Sequence, residues 1–156
     1  MTIRRATGLD AAAIAAIWNP IIRTSDITFT TVEKTEDVLT AMIAQQVVLI
    51  SESDRVDGFA TFSAFRDGPG YAHTAELSIY LAPHAQRRRL GAALLTALEA
   101  EAHLAQIHTL IAGIAGRNTG AVAFHAAQGY RKVGHLEQVG WKQGVWHDLI
   151  LMQKRL

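Results

Sequence analysis

The sequence predicts an α+β (mixed α/β) fold: a central, mostly antiparallel, twisted sheet of about seven strands flanked by about four helices. Two observations carry the prediction. Apolar residues recur at strand and helix periods in the order strand, two helices, three strands, helix, strand, helix, two strands, so helices interleave with strands that are joined largely by turn residues. The 156 residues are 49% hydrophobic and 19% charged, a balance ordinary for one globular domain with a real core.

Each element has its own local reason. Thr2 to Arg5 reads as a short strand. Thr7-Gly8-Leu9-Asp10 resembles a capping box, and Leu9, Ala13, Ala16 and Ile17 then follow helical spacing, with Pro20 expected to end or bend the helix. Residues 21–38 are polar and β-branched and read as an irregular connection. Within them Thr35 caps a second helix, whose first turn holds Glu36 and Asp37 where acids favour the dipole. "VVLISE", "GFATFSAF" and "TAELSIYLA" are strands, separated by "SDRVDG" and "RDGPGY", which are turns by their Gly, Pro and Asp content. Leu90, Leu94, Leu98 and Ala102 define a long helix. "HTLIAGIAG" is the next strand. Asn118 caps and Gly129 closes a short helix, and "YRKVGHLEQVG" with "VWHDLILMQKRL" makes a last pair of strands.

Composition excludes several functions. There are no cysteines, so there is no disulfide framework, cysteine-ligated zinc or cysteine nucleophile. No run approaches the roughly 18 apolar residues of a membrane span. The N-terminus imitates a signal peptide, but Asp10 and Trp18-Asn19-Pro20 interrupt the pattern, and a mature cytoplasmic chain is expected. The seven histidines include no His-Glu-x-x-His, so no metal is expected. The net charge of +1 lacks the global basic excess of many nucleic-acid binders.

Arg87, Arg88 and Arg89 nevertheless stand together, in "PHAQRRRLGAALL", between a strand and a helix. Free N–H groups at a helix start attract anions, small residues let an anion approach, and arginines add forked donors. The stretch fits a pyrophosphate or, equally on its residues alone, a solvated basic face. It is neither a Walker loop nor a dinucleotide fingerprint. In "TAELSIYL", alternation puts Thr74, Glu76, Ser78 and Tyr80 on one face. A glutamate in a mostly apolar strand has a raised pKa suited to a general base. The alternative is an edge-strand charge in water.

"QRRRLGA", Gln86 to Ala92, resembles the cofactor signature of the GNAT superfamily of N-acetyltransferases, with Arg89 where its first glycine is usual. "TAELSIYLAP", "FRDGPGY", "NTGAVAFHAAQGY" and "VGWKQGVWHDLILMQ" are similar, in order and spacing, to segments of the phosphinothricin and methionine sulfoximine acetyltransferases of that superfamily. The resemblance runs from about Val56 to the C-terminus. The family's serine is replaced by Ala121, and the stretch from Thr30 to Val48 looks shorter than usual.

The resemblance implies acetyl-CoA as cosubstrate and transfer to the amine of a small amino acid or analogue in a ternary complex. Glu76 is implied as general base. His125 occupies the place of a tyrosine that protonates the thiolate, with a partly buried structural histidine as the alternative. The backbone of Ile79, Tyr80 and Leu81 is implied to pair with the pantetheine arm, freed by a splay or bulge after Glu76. Gln86, Arg87, Arg88, Arg89, Leu90, Gly91 and Ala92 are implied for the phosphates, and Asn118 adds a cofactor contact to its cap. Arg66 resembles an arginine that binds the acceptor's acidic group, for which its fork is suited. Phe65, Tyr71 and Ser78 would wall the pocket, with Lys142, Trp146 and Asp148 approaching from the final hairpin. A homodimer is implied, with no nucleic-acid or membrane partner. The competing readings are acetylation of a polyamine or protein N-terminus, and an acyl-CoA sensor that would have no need of Glu76.

Overall fold

The computed structural model describes residues 1–86 and 89–156. Seven strands form one sheet in the order β1-β2-β3-β4-β5-β7-β6. The strands are β1 Thr2–Arg5, β2 Val48–Glu52, β3 Val56–Ala64, β4 Thr74–Leu81, β5 Thr109–Ala115, β6 Arg131–Lys142 and β7 Val145–Arg155. The helices are α1 Ala11–Thr24, α2 Glu36–Gln45, α3 Leu90–Leu104 and α4 Thr119–Ala127. The element order and mostly antiparallel sheet agree with the expectation.

Two apolar layers sandwich the sheet. On one face Ile14, Ile17 and Leu39 pack on Val48, Ile50 and Phe59. On the other, Leu94, Leu95 and Leu98 pack on Leu49, Ala60, Phe62, Ala75 and Leu77. Alternation along β3 and β4 therefore assigns each residue to a layer.

The caps behave as their residues dictate. Asp10 accepts the Thr7 N–H at 2.7 Å, Thr35 accepts from Val38 N at 3.2 Å, and Asn118 accepts from Ala121 N at 3.2 Å. The Pro20 expectation needs correction. α1 continues through Pro20 to Thr24. A proline removes one backbone bond, but Ile22, two residues on, is fully buried, and the Asn19 side chain bonds both backbone groups of Lys34 at 2.8 and 2.9 Å. Tertiary packing thus holds the last turn.

One junction positions the site. β4 and β5 run parallel and are paired only from Thr74↔Thr109 to Leu77↔Ala112. β4 continues beside β3 to Leu81, and β5 continues beside β7 to Ala115. Beyond Leu77 the two strands separate, as the resemblance implied, and backbone groups of β4 facing β5 lose their strand partner.

Candidate active site

The split in the sheet is bordered by three cavities that share walls. On the α1 side lies a chamber of about 320 Å³ whose lining includes Trp18, Thr28, Phe29, Glu76, Ser78 and Tyr80. Within the split is a narrow throat of about 70 Å³, lined by Ser78, Ile79, Tyr80, Gly113, Asn118 and His125 among others. On the α3 side a cleft of about 400 Å³ is lined by Ile79, Leu81, Gln86, Gly91, Phe124 and His125 among others. Two reactants entering from opposite faces would meet at the split.

Glu76 stands in the chamber, half-buried. Burial pushes its carboxyl above the usual range, the direction a base near neutrality needs. The space it occupies is supplied by Gly113, where a Cβ would lie 2.7 Å from Glu76 Oε1. Among the described residues no lysine or arginine lines this chamber.

The α3 start is built for an anion. Leu90, Gly91 and Ala92 form its first turn, where N–H groups lack intrahelical acceptors. A Cβ at Gly91 would come within 3.3 Å of the Phe124 ring, so glycine lets α3 approach α4. Arg89, the residue before the helix, has φ 58° and ψ 4°. That left-handed conformation explains the glycine usual there, because a side chain in it is strained. The Arg89 side chain is exposed. Arg87 and Arg88 lie outside the described residues.

Sequence reasoning missed a clasp behind this turn. The buried Asp57 accepts from Ser53 Oγ at 2.8 Å and pairs with His84 Nε2 at 2.8 Å, while its backbone carbonyl accepts from Ala82 N at 2.8 Å. Burial opposes the Asp57 charge, but the Ser53 and His84 bonds outweigh it and hold its pKa below the ordinary value. Val-Asp-Gly read only as a turn, and a polar residue opening a strand gave no other signal.

His125 is buried on α4, and its Nδ1 lies 2.8 Å from the Ala121 carbonyl. A carbonyl can only accept, so Nδ1 carries the hydrogen. Nε2 is then a lone-pair acceptor in the neutral ring, and among the described residues it has no hydrogen-bond partner. Burial pushes the pKa down despite the Ala121 bond. Proton donation from Nε2 requires the imidazolium, which burial disfavours.

The structure does not bring every predicted residue together. Ser78 is in the chamber. Phe65, Arg66 and Tyr71 form a separate cluster on the β3–β4 loop, with rings 6.3 Å apart and Arg66 Cζ 5.9 Å from the Tyr71 centroid. Arg66 and Tyr71 line a different cavity, of about 440 Å³, together with Phe62 and Ala75. Those two residues belong to the α3 layer, whereas Glu76 points to the opposite face. The hairpin residues also need correction. Lys142 is buried and donates to the Thr28 carbonyl at 2.7 Å, so it stands behind the chamber wall. Trp146 is 55% exposed and stacks on Trp141 at 4.7 Å. Asp148 bonds His135 and the Gln138 N–H, which holds its pKa down. In their place the chamber uses Trp18, Thr28 and Phe29. The latter two sat in a stretch that gave no periodic signal.

Comparison with known proteins decides what this split sheet is. Residues 3–151 match the acetyltransferase (GNAT) domain family. The chain belongs to the GNAT acetyltransferases. It is 36% identical to the L-methionine sulfoximine/L-methionine sulfone acetyltransferase of Salmonella typhimurium, over 100% of this chain and 95% of that one. Its structure superposes on a ribosomal-protein-alanine N-acetyltransferase from Brucella melitensis with TM-score 0.96, at 34% identity and complete coverage of both chains. The phosphinothricin acetyltransferase of Sinorhizobium meliloti, solved in complex with acetyl-CoA, superposes at TM-score 0.93 with 28% identity, over 99% of this chain and 88% of that chain. The family resemblance and the mixed, mostly antiparallel GNAT fold are thereby confirmed, and the chain is an acetyltransferase by family.

Proposed function

We propose that the chain transfers the acetyl group of acetyl-CoA to the α-amine of a small amino acid or analogue, such as phosphinothricin or methionine sulfoximine, directly in a ternary complex. The observation that carries the reading is the split between β4 and β5, with Glu76 on its chamber side and the α3 helix start on its cleft side. The phosphates of CoA lie at the N–H groups of Leu90, Gly91 and Ala92, with Gln86 and Arg89 beside them. The pantetheine arm runs along Ile79–Leu81 toward the throat, past Asn118 and His125. The amine enters from the chamber. Glu76 takes a proton from the ammonium, directly or through a water. The freed nitrogen attacks the thioester carbonyl, and backbone N–H groups released by the split stabilise the oxyanion. The C–S bond breaks, and the excess proton that the nitrogen still carries passes to the thiolate, through water or through His125 on the cleft lining. Holding both substrates at one gap supplies much of the acceleration.

Ser78, Thr28 and Tyr80 are the hydroxyl donors available to the acceptor's polar end. A cytoplasmic location rests on the cysteine-free composition and on acetyl-CoA as cosubstrate. A homodimer is part of the same reading. The exposed Trp141–Trp146 pair, with Val139 beside it on β6, supplies an apolar face of the kind that marks interfaces.

Acetyl-CoA consumption should be measured against phosphinothricin, methionine sulfoximine, methionine sulfone, common amino acids, a polyamine and an alanine-terminated peptide. Turnover of the amino-acid analogues is expected. Turnover confined to the polyamine or the peptide would replace this acceptor class, and tight acetyl-CoA binding without turnover on any amine would identify a sensor.

A further inference from the structure

The chamber wall opposite Glu76 belongs to no helix or strand. Residues 25–35, which follow α1, supply Ile27, Thr28 and Phe29 to it. A loop without regular hydrogen bonds needs other anchors to hold a pocket shape. Here the anchors come from the far end of the chain. Lys142, at the end of β6, sends its ammonium to the Thr28 carbonyl at 2.7 Å while only 2% exposed. His147, on β7, is also buried and stacks on the Phe29 ring at 5.4 Å and 23°. Gly140, the register partner of His147, leaves room for that ring, since a Cβ there would lie 2.5 to 2.8 Å from three Phe29 atoms. Arg117 reaches Asp26 at 3.6 Å.

These contacts share one geometry. Gly140 and Lys142 are two apart on β6 and face the loop, whereas Trp141 between them faces outward. A buried lysine is costly unless its charge is used. Among the described residues its nearest carboxylate influence is that of Asp26, and its hydrogen bond goes to a backbone carbonyl in the wall. A bond to a carbonyl fixes the position of the main chain whatever side chain the loop carries.

We propose that Lys142, with Gly140 and His147, is a positioning device that sets the distance between the Thr28–Phe29 wall and Glu76, and that Phe29 determines which acceptors fit. The proposal rests on the assignment of the chamber to the acceptor. The device itself has no residue in the chamber, throat or cleft lining, since none of Gly140, Lys142 and His147 borders them. It acts through the wall, and removing the ammonium frees the loop without touching the β4–β5 split. Its effect therefore falls on acceptor KM and acceptor choice. Gly140→Ala pushes the Phe29 ring, by contrast, and narrows the chamber.

The test uses the best acceptor of the panel and a smaller one. Lys142→Met should raise KM for the acceptor about tenfold or more, the scale of a lost charge-assisted hydrogen bond, with acetyl-CoA Kd changed less than about twofold and a cooperative melt retained. Gly140→Ala should penalise the larger acceptor more than the smaller. Phe29→Ala should reverse that preference, and it carries the test alone if Lys142→Met does not fold. Unchanged acceptor KM in folded Lys142→Met, an equal loss of acetyl-CoA affinity, or unchanged acceptor ranking in Phe29→Ala overturns the proposal. Glu76→Gln is measured in parallel. If it keeps full turnover, the chamber assignment has failed. If it loses turnover while the wall variants leave acceptor KM and ranking unmoved, only the positioning device has failed.

Discussion

The two halves of β4 are adjacent in sequence and opposite in role. Thr74–Leu77 is paired on both sides, to β3 and to β5, while Ser78–Leu81 is paired on the β3 side alone. In the first half the strand is paired along both edges, and the proposed function rests there on one side chain, Glu76. In the second half the proposed function rests on the backbone edge that has no strand partner. On that proposal a strand interior holds the base, and a strand that has parted from its neighbour takes the ligand.

The largest effect should come from the side chain on the paired half. Glu76→Gln is expected to lower kcat by about 10²–10⁴-fold, the scale of a positioned base, with acetyl-CoA binding intact by calorimetry. The same variant tests burial. The native state holds the Glu76 proton more tightly than the unfolded chain, because its pKa is raised above 4.5. Its ionisation therefore destabilises the fold as pH rises through the window above 4.5. Denaturant melts from pH 4.5 to 7 should show a loss with rising pH that Glu76→Gln lacks. Parallel pH curves for the two proteins would contradict the buried carboxyl.

A smaller loss is expected at the neighbouring strand. Gly113→Ala places a methyl 2.7 Å from Glu76 Oε1, and the carboxylate must swing aside. Displacement of a reacting group by about 1 Å costs on the order of 10²-fold, so kcat should fall by roughly 10- to 100-fold while the melting temperature changes little. Retained kcat would show that Glu76 works from another rotamer.

The cofactor turn should respond in stability. Arg89→Gly removes a left-handed non-glycine residue and should stabilise the fold by about 1 kcal/mol, read as a rise in Tm. Acetyl-CoA binding should persist with a flatter salt dependence, since exposed ion pairs are screened. A steeper dependence would show that the arginine opposes binding. The smallest effect is expected at Arg66. Its loop lies on the other face of the sheet, so Arg66→Ala should leave acceptor KM within about twofold, because an exposed loop side chain away from the site contributes little. A large rise would carry the β3–β4 loop to the acceptor.

The sequence made the strand–turn–helix legible because it is local. Alternation placed Glu76 on its face of β4, and small residues after the arginines placed the start of α3. Even the splay followed from matching the segment to a family. The chamber wall was not legible, for Thr28 is held by Lys142, 114 positions away, and Phe29 is held by His147 and the gap at Gly140. Such contacts leave no period in the sequence. Arg66 shows the converse: motif similarity located a residue but not the face of the sheet it would join. Pro20 was misread because local helix rules do not include the burial of Ile22.

The parallel seam at Thr74–Leu77 has a consequence for how the protein holds together. Among the described residues it is the only parallel pairing, and it joins two antiparallel units, the β1–β4 meander and the β5-β7-β6 group, in which β5 pairs with the last strand rather than the next. Four residue pairs, extended by the bonds from His108 N and Thr109 N to the His73 carbonyl, make the strand link between these units. A pantetheine arm laid in the gap beyond Leu77 would extend that link as a non-peptide strand. The cosubstrate is then also a fastener. Its binding adds to the free energy of unfolding in proportion to RT ln(1 + [L]/Kd), and that increment acts at the seam between the two units.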